Sequence, residues 1–281
     1  MAHDTNPQAE NILDKEYKVL NKGFVRLVDY MGGDARIVQA ARVSYGEGTK
    51  TKRQDKGLIN YLLRNEHTSP FEQVILTFHC KMPIFVARQW VRHRTARLNE
   101  ISGRYSVMEN EFYVPDEDQI RFQSEDNKQG RNQEEEVPAE LQQKVLEIIK
   151  TGHTQTYQQY DEMLDEDIAR ELARINLPLS LYTQWYWQID LHNLFHFLKL
   201  RMDPHAQWEI RQYGEVMADI TAQVAPLAYA AFETHVLNSV KFSGKEMKAL
   251  AKVLAGEEYS LNPTAKADFE RKLKKVRAMN K

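Results

Sequence analysis

Apolar residues recur at two spacings along the chain, and each spacing predicts a different element. From Asp34, a good N-cap residue, Ile37, Val38 and Ala41 share one face of a helix, and a second helix is predicted over about residues 55–65. Residues 71–82 change period. Val74, Leu76, Phe78, Cys80 and Met82 alternate with Ile75, Thr77, His79 and Lys81, as along a strand with two unlike faces. Pro83 suits a first helical position, because its missing N–H would be unpaired there anyway, so residues 84–96 are predicted helical. A second strand is predicted over 107–114, closed by Pro115. Helical spacing returns over 138–164 and again over 167–176, where Ile168, Leu172 and Ile175 define a buried side opposite Arg170 and Arg174.

Residues 179–189 alternate once more, with Leu179, Leu181, Thr183, Trp185, Trp187 and Ile189 on one face and Ser180, Tyr182, Gln184, Tyr186 and Gln188 on the other. Asp190 caps a helix to about Met202, and a long helix over 205–224 turns Ile210, Tyr213, Met217, Ile220 and Val224 inward. No internal repeat interrupts this order. It predicts an α+β fold, an antiparallel sheet flanked by long helices.

Two segments depart from the pattern. Residues 116–136 hold eight acidic and three basic residues in a Gln- and Asn-rich context, a net of −5. Low hydrophobicity with charge of one sign does not offset the entropy of ordering, so this acidic insertion is expected to be solvated, compatible with disorder, dispensable and without chemistry. From Lys241 onward, eleven Lys or Arg face five acids, with Met247, Leu250 and Leu254 and then Phe269, Leu273 and Val276 at helical spacing. This basic C-terminal extension reads as two short amphipathic helices, a solvated face docked on the body rather than an RNA-binding arm.

Composition narrows the function. The formal charge of −2 argues against a wholly basic nucleic-acid binder, because affinity for polyphosphate comes mainly from many cations displacing counterions. Cys80 is the only cysteine, so neither an internal disulfide nor a cysteine zinc site is available. The polar start and the lack of any stretch near the roughly 18 apolar residues of a membrane span lead to the expectation of a cytoplasmic protein. There is no GxGxxG, GxxxxGK[ST] or GxSxG pattern.

Chemistry concentrates between Arg88 and Tyr105. Arg88, Arg92, His93, Arg94, Arg97 and Arg104 crowd one region, and Arg88 and Arg92 as i,i+4 neighbours on a helix would repel. The loop after them, with Asn99, Glu100, Ser102 and Gly103, offers donors, an acceptor and flexible backbone, which points to an anionic, nucleotide-like ligand. Arg174, Arg201, His67 and Ser69 are further candidates that only the fold can bring together. His192 and His196 stand i,i+4 as zinc ligands can, but Asn193 replaces the Glu of HExxH and no third ligand is evident, so ligation is given about one chance in ten. Cys80, mid-strand on the apolar side, reads as an inert core residue.

The run Arg92-His93-Arg94, seven residues, then Ser102 resembles the signature of the flavin-dependent thymidylate synthase family. The resemblance extends to His67-Thr68-Ser69-Pro70-Phe71-Glu72, to the run from Pro83 to Trp90, to Ser102-Gly103-Arg104-Tyr105-Ser106, to Arg174 with Leu177-Pro178-Leu179, and to Leu198-Lys199-Leu200-Arg201 followed by His205-Ala206-Gln207-Trp208-Glu209-Ile210. It spans roughly residues 20 to 235, which divides the chain into a polar segment 1–20, a synthase domain 21–237 carrying the insertion, and an extension 238–281. It implies reductive methylation of dUMP to dTMP, with methylenetetrahydrofolate as carbon donor, NADPH as reductant and FAD between them. It also implies a homotetramer with shared active sites, in which Tyr182 and Tyr186 would be interfacial.

By this resemblance Gln89, Trp90, Val91, Arg92, Glu100, Ile101, Ser102, Gly103, Arg104 and Arg201 would bind dUMP, together with Arg174 of a neighbouring subunit. Arg201 would be catalytic by favouring ionisation of the uracil ring. FAD would meet Ser69, Arg92, His93, Arg94, Glu100, Asp190, Leu191, His192 and His196; at Asp190, His192 and His196 some members carry Asn, Arg and Asn. No metal is implied. The alternative is a nucleotide- or RNA-binding module stacking bases on Tyr105, Tyr182 and Trp187, and a third reading is a helical metalloenzyme built on His192 and His196.

Overall fold

The computed structural model of the chain describes residues 5–43, 52–125 and 129–278, which fall into two compact units, Met1–Phe232 and Glu233–Lys281. At the centre of the first unit lies a sheet of β1 (Glu16–Val19), β2 (Gly23–Met31), β3 (Ile75–Pro83), β4 (Arg97–Glu100) and β5 (Tyr182–Asp190). The strand order is β1-β2-β3-β5-β4 and every pairing is antiparallel. Around it stand α1 (Pro7–Glu10), α2 (Asp34–Arg42), α3 (Lys52–Arg64), α4 (Ile84–Trp90), α5 (Ala139–Asp165), α6 (Arg170–Ala173), α7 (Leu191–Arg201), α8 (Trp208–Val224) and α9 (Pro226–Phe232). This is the expected α+β architecture. No helix among the described residues is long and apolar enough to cross a membrane.

The register explains the core. Phe78 lies opposite Trp187 and Cys80 opposite Trp185, so the apolar faces of β3 and β5 coincide, and Leu76, Phe78, Cys80, Met82, Trp185, Trp187 and Ile189 are all buried. Phe197 and Leu198 of α7 and Ile210, Tyr213 and Met217 of α8 are buried as well. Trp90, the last residue of α4, is fully buried in this layer. Its ring centroid is 5.5 Å from Trp185, 5.3 Å from Trp187, 4.9 Å from Phe197 and 5.8 Å from Tyr213. A tryptophan buried to this extent removes roughly 150–250 Å² from water, on the order of 4–6 kcal/mol.

Several predicted elements differ. Asp34 is the first helical residue rather than the cap of α2. Its carboxylate accepts the N–H groups of Leu227 at 2.8 Å and Ala228 at 2.9 Å and so caps α9 instead, while burial raises its pKa against those two bonds. The helix expected over 84–96 ends at Trp90, because the chain turns to pair β4 with the edge of β5. The strand expected over 107–114 reduces to one bridge between Phe112 and Leu181. There the tyrosines of α5 take the place of a ladder: Tyr157 donates to the Met108 carbonyl at 2.9 Å and Met108 N–H donates to Tyr160 at 3.1 Å.

Between residues 167 and 176 only α6 and the 3-10 turn Arg174–Asn176 form. Ile168, Leu172 and Ile175, expected inside, are 42%, 56% and 76% exposed, and Ala173 is the residue buried. Tyr182, expected at the surface, is buried with its hydroxyl donating to Asn21 at 2.7 Å. The segment 1–20, read as merely polar, contributes α1 and β1 and buries Ala9, Ile12 and Val19. Nor is 116–136 simply solvated, since Arg131 pairs with the buried carboxylate of Glu209; Asp126 and Lys128 lie outside the described residues.

The second unit contains α10 (Gly244–Ala255) and α11 (Pro263–Ala278). Ser243 and Glu246 form a capping box, and Gly256 ends α10 in the left-handed conformation, with φ 73°, that glycine accepts without strain. Lys272 reaches Glu246 at 2.7 Å and Asp268 at 2.8 Å. Ala249 and Phe269 are buried apolar positions there and Glu246 is buried as well, whereas Met247, Leu254 and Val276, expected inward, are exposed.

Because Trp90 joins α4, β5, α7 and α8, Trp90→Ala is expected to lower stability by about 3–5 kcal/mol, read as a shift of the urea midpoint. A loss below about 1 kcal/mol would show that the layer tolerates the cavity.

Candidate active site

The site begins where α4 stops. Trp90 is held inward, so the residues after it emerge at a fixed place: Val91 caps the helix with its N–H on the Ala87 carbonyl, and the His93 N–H reaches the Trp90 carbonyl at 3.0 Å. Arg201, at the end of α7, comes to the same place. Its Nε donates to His93 Nε2 at 3.0 Å and an Nη donates to the Gln89 carbonyl at 3.2 Å. His93 also packs edge-on against Phe197 with centroids 4.9 Å apart, and lies 5.8 Å from His196. Gln89, His93, His196 and Arg201 thus meet, although 112 residues separate Gln89 from Arg201.

Electrostatics follow from this packing. Burial, then Arg201, then His196 push the His93 pKa down to about 4, so near pH 7 the ring is neutral and Nε2 can accept the Arg201 N–H. Burial and the nearby Arg92 lower the Arg201 pKa, the mark of a cation held in unfavourable surroundings. Among the described residues, Arg88, Arg92, Arg94, Arg97 and Arg174 have no acidic partner. The repulsion inferred from Arg88 and Arg92 on one helix takes a different form, since Arg92 lies beyond α4, where it comes near Arg201 instead. Guanidinium groups without acids are donors suited to phosphate or pyrophosphate.

A second group forms around the loop after β4. The Ile101 N–H donates to the Gln184 carbonyl at 2.9 Å, and Glu100 accepts the Thr183 hydroxyl at 2.6 Å. The Ser102 carbonyl accepts the N–H groups of Tyr105 at 3.1 Å and Ser106 at 3.0 Å, and its Oγ accepts Arg104 N–H at 3.3 Å. Gly103 is needed for close approach, because a Cβ there would stand 3.0 Å from Met108 Sδ and 3.1 Å from Arg174 Cδ. Arg104 donates to Glu171 at 2.9 Å in an exposed pair of the kind that contributes little and exchanges readily for another anion. Within a single chain, then, the stem of Arg174 already lies against Gly103.

The chain is similar to known proteins over most of its length. A family model described as thymidylate synthase complementing protein matches residues 26–227, and one described as thymidylate synthase ThyX C-terminal domain matches 240–279. A flavin-dependent thymidylate synthase of Treponema denticola is 63% identical over 94% of this chain and 99% of its own length. That of Treponema pallidum is 59% identical over 98% of this chain and 90% of its own. The chain belongs to the flavin-dependent thymidylate synthase family. Among solved structures, a UMP/dUMP methylase, PolB, from Streptomyces cacaoi bound with 5-Br dUMP superposes with a TM-score of 0.71 at 33% identity, covering 78% of this chain and 98% of that one.

Not every residue assigned from the flavin-dependent thymidylate synthase pattern is free to meet a ligand. The Trp90 side chain is buried, which leaves only its backbone for dUMP. Asp190 spends its carboxylate on Asn193, accepting the backbone N–H at 2.9 Å and the side-chain amide at 2.8 Å, and so starts α7. Leu191 is buried with its N–H on the Val74 carbonyl at 2.8 Å. Asp190 thus caps α7 and Leu191 packs inside. Ser69 is exposed in the turn before β3, and no hydrogen bond joins it to the other candidates; His67 packs edge-on against Tyr61.

Two residues of the polar surround carry no role in the sequence reading: Gln207, which accepts from Gln89, and Glu209, which accepts from Gln207. A glutamate beside the inward Ile210 reads as a surface charge. Its position in the sequence gives no signal that it is buried. Among the described residues no group of three His, Cys, Asp or Glu side chains could hold a metal ion. The base-stacking alternative loses two of its three platforms, since Tyr182 and Trp187 are buried.

By NMR titration the His93 ring is expected to protonate with a midpoint near 4, and in Arg201→Ala the midpoint is expected to rise while burial keeps it below the ordinary value. A midpoint at the ordinary histidine value in the unsubstituted protein would contradict the arrangement.

Proposed function

We propose that this chain methylates dUMP reductively to dTMP, with Arg201 as the residue that activates the base. Family membership makes it a methyltransferase and a flavoprotein, using FAD with NADPH as reductant and methylenetetrahydrofolate as carbon donor. The observation that carries the residue assignment is the seating of Arg201 on His93 and Gln89, beside Arg92, a guanidinium without an acidic partner.

Among the described residues, neither of the two candidate nucleophiles, Cys80 and Ser102, is placed to act as one. Cys80 is fully buried and burial pushes its thiol pKa up, and Ser102 uses its hydroxyl oxygen within its own loop with no base beside it. On this reading the ring is activated by electrostatics. A fixed cation beside a ring nitrogen favours the ring anion, which makes the adjacent carbon electron-rich; Arg201, already anchored, needs no reorganisation to act so. Gln89, Val91, Arg92, Glu100, Ile101, Ser102, Gly103, Arg104 and Arg174 hold the nucleotide, with Arg92, Arg104 and Arg174 on the phosphate.

The residues present fit a flavin dinucleotide. Unpaired Arg92 and Arg94 suit its pyrophosphate, and Ser69, neutral His93, Glu100, His192 and His196 supply polar contacts around it. When bound, FAD supplies the hydride carrier between NADPH and the methylene carbon. Exposed Ile168, Leu172, Ile175 and Leu179, together with the uncovered edge strand β4, support a homotetramer with active sites shared between subunits, Arg174 among the residues shared. The lone buried cysteine supports placement in the cytoplasm.

Arg201→Ala is expected to reduce dTMP formation by at least about a hundredfold while the purified protein keeps its FAD spectrum. Loss of flavin with undiminished turnover by the remaining holoenzyme would overturn the assignment.

A further inference from the structure

A chain of polar side chains leads inward from Gln89. Gln89 Nε2 donates to Gln207 Oε1, and Gln207 Nε2 donates to Glu209 Oε2 at 2.8 Å. Glu209 is only 1% exposed, and its other oxygen accepts the Tyr113 hydroxyl at 3.0 Å and the guanidinium of Arg131. A carboxylate paired with arginine can only accept hydrogen bonds, whereas an amide can turn over and offer either its oxygen or its NH2. Glu209 therefore dictates the direction of the whole chain: it draws the Gln207 NH2 toward itself, which turns the Gln207 oxygen to Gln89, which draws in the Gln89 NH2. The Gln89 side-chain oxygen is what remains.

We propose that Gln207 and Glu209 are positioning residues for dUMP recognition, a relay that fixes the Gln89 amide so that it presents an acceptor to a hydrogen-bond donor of the nucleotide. The inference rests on the reading of Gln89 as a dUMP-binding residue. Arg131 gives the relay its reach. It sits in the acidic stretch 116–136 and, with Tyr113, holds the Glu209 carboxylate in place on one side while Gln207 uses the other. An unsupported buried carboxylate would be costly to keep, so these partners are what allow Glu209 to serve as a fixed acceptor. Arg201 adds a second constraint on the same residue, since it grips the Gln89 backbone carbonyl while the relay grips the side chain.

The test is a double-mutant cycle on the FAD-loaded enzyme, with dUMP affinity read by isothermal titration calorimetry and flavin content and melting temperature read alongside. Gln89→Ala and Gln207→Leu are each expected to weaken dUMP binding by about tenfold, the size of one lost hydrogen bond. Combined, they are expected to cost no more than Gln89→Ala alone, within about twofold, because Gln207 acts only through Gln89. Additive losses would overturn the relay, as they would show Gln207 acting on the fold or on the nucleotide by another route. If Gln207→Leu loses flavin or melts early, Gln207→Asn keeps the amide but is one methylene too short to span the gap, and the same pair of outcomes decides. If dUMP affinity is unchanged by Gln89→Ala, Gln89 is no ligand of the nucleotide, and the relay falls with that reading.

Discussion

The placement of the turn that carries Arg92, His93 and Arg94 depends on one buried side chain. Trp90 ends α4 inside a layer of Trp185, Trp187, Phe197 and Tyr213, and with it in place the chain leaves the helix at one point only. The turn carrying Arg92, His93 and Arg94 is thereby set against the end of α7, which brings Arg201. Aromatic packing of this density resists small displacements, because an interior has few voids into which a ring can move. Hydrogen bonds to Arg201 then select among the orientations that packing leaves open. The apolar layer sets the place and the polar contacts set the aim.

The same packing creates the electrostatic character of the site. Arg201 and His93 are close because the elements beneath them are close, and the neutral state of His93 is the cheaper response to a neighbouring cation in partly buried surroundings. Arg92 lies near Arg201, and among the described residues Arg88, Arg92, Arg94, Arg97 and Arg174 have no acids to balance them. A folded chain carries such a cost where a ligand relieves it, and a phosphorylated nucleotide beside a dinucleotide cofactor relieves it well. Among the described residues, Cys80 is buried and Ser102 is engaged in its own loop, which supports the proposed activation of the base by fixed positive charge.

Legibility in the sequence follows physical cause. The alternation in β3 and β5 is plain because each strand has one face in the core and one on polar side chains, and α7 and α8 are plain because their apolar stripes bury. β4 leaves no such trace. Arg97, Leu98, Asn99 and Glu100 are all exposed at the sheet edge, held by pairing to β5 alone, so no hydrophobic period marks them. The apolar run around Met108 and Phe112 misleads in the opposite way, since it packs under α5 with tyrosine hydroxyls in place of strand partners. Ile168, Leu172 and Ile175 show a helical stripe that one chain leaves uncovered. The signature residues from Arg92 to Arg104 are legible as a group by type and spacing but their departure from the helix is not, and the burial of Trp90, Asp190's duty as a cap and the reach of Arg131 to Glu209 are properties of the folded chain.

The most direct test of the account is anaerobic turnover of the purified chain with FAD, NADPH, dUMP and methylenetetrahydrofolate, following dTMP by chromatography with each component left out in turn. The account predicts dTMP when all four are present and none when any one is missing from flavin-free protein. Oxidation of NADPH with no dTMP under the complete conditions would contradict it, because a flavin site would then exist without the activated nucleotide that Arg201 is held in place to produce.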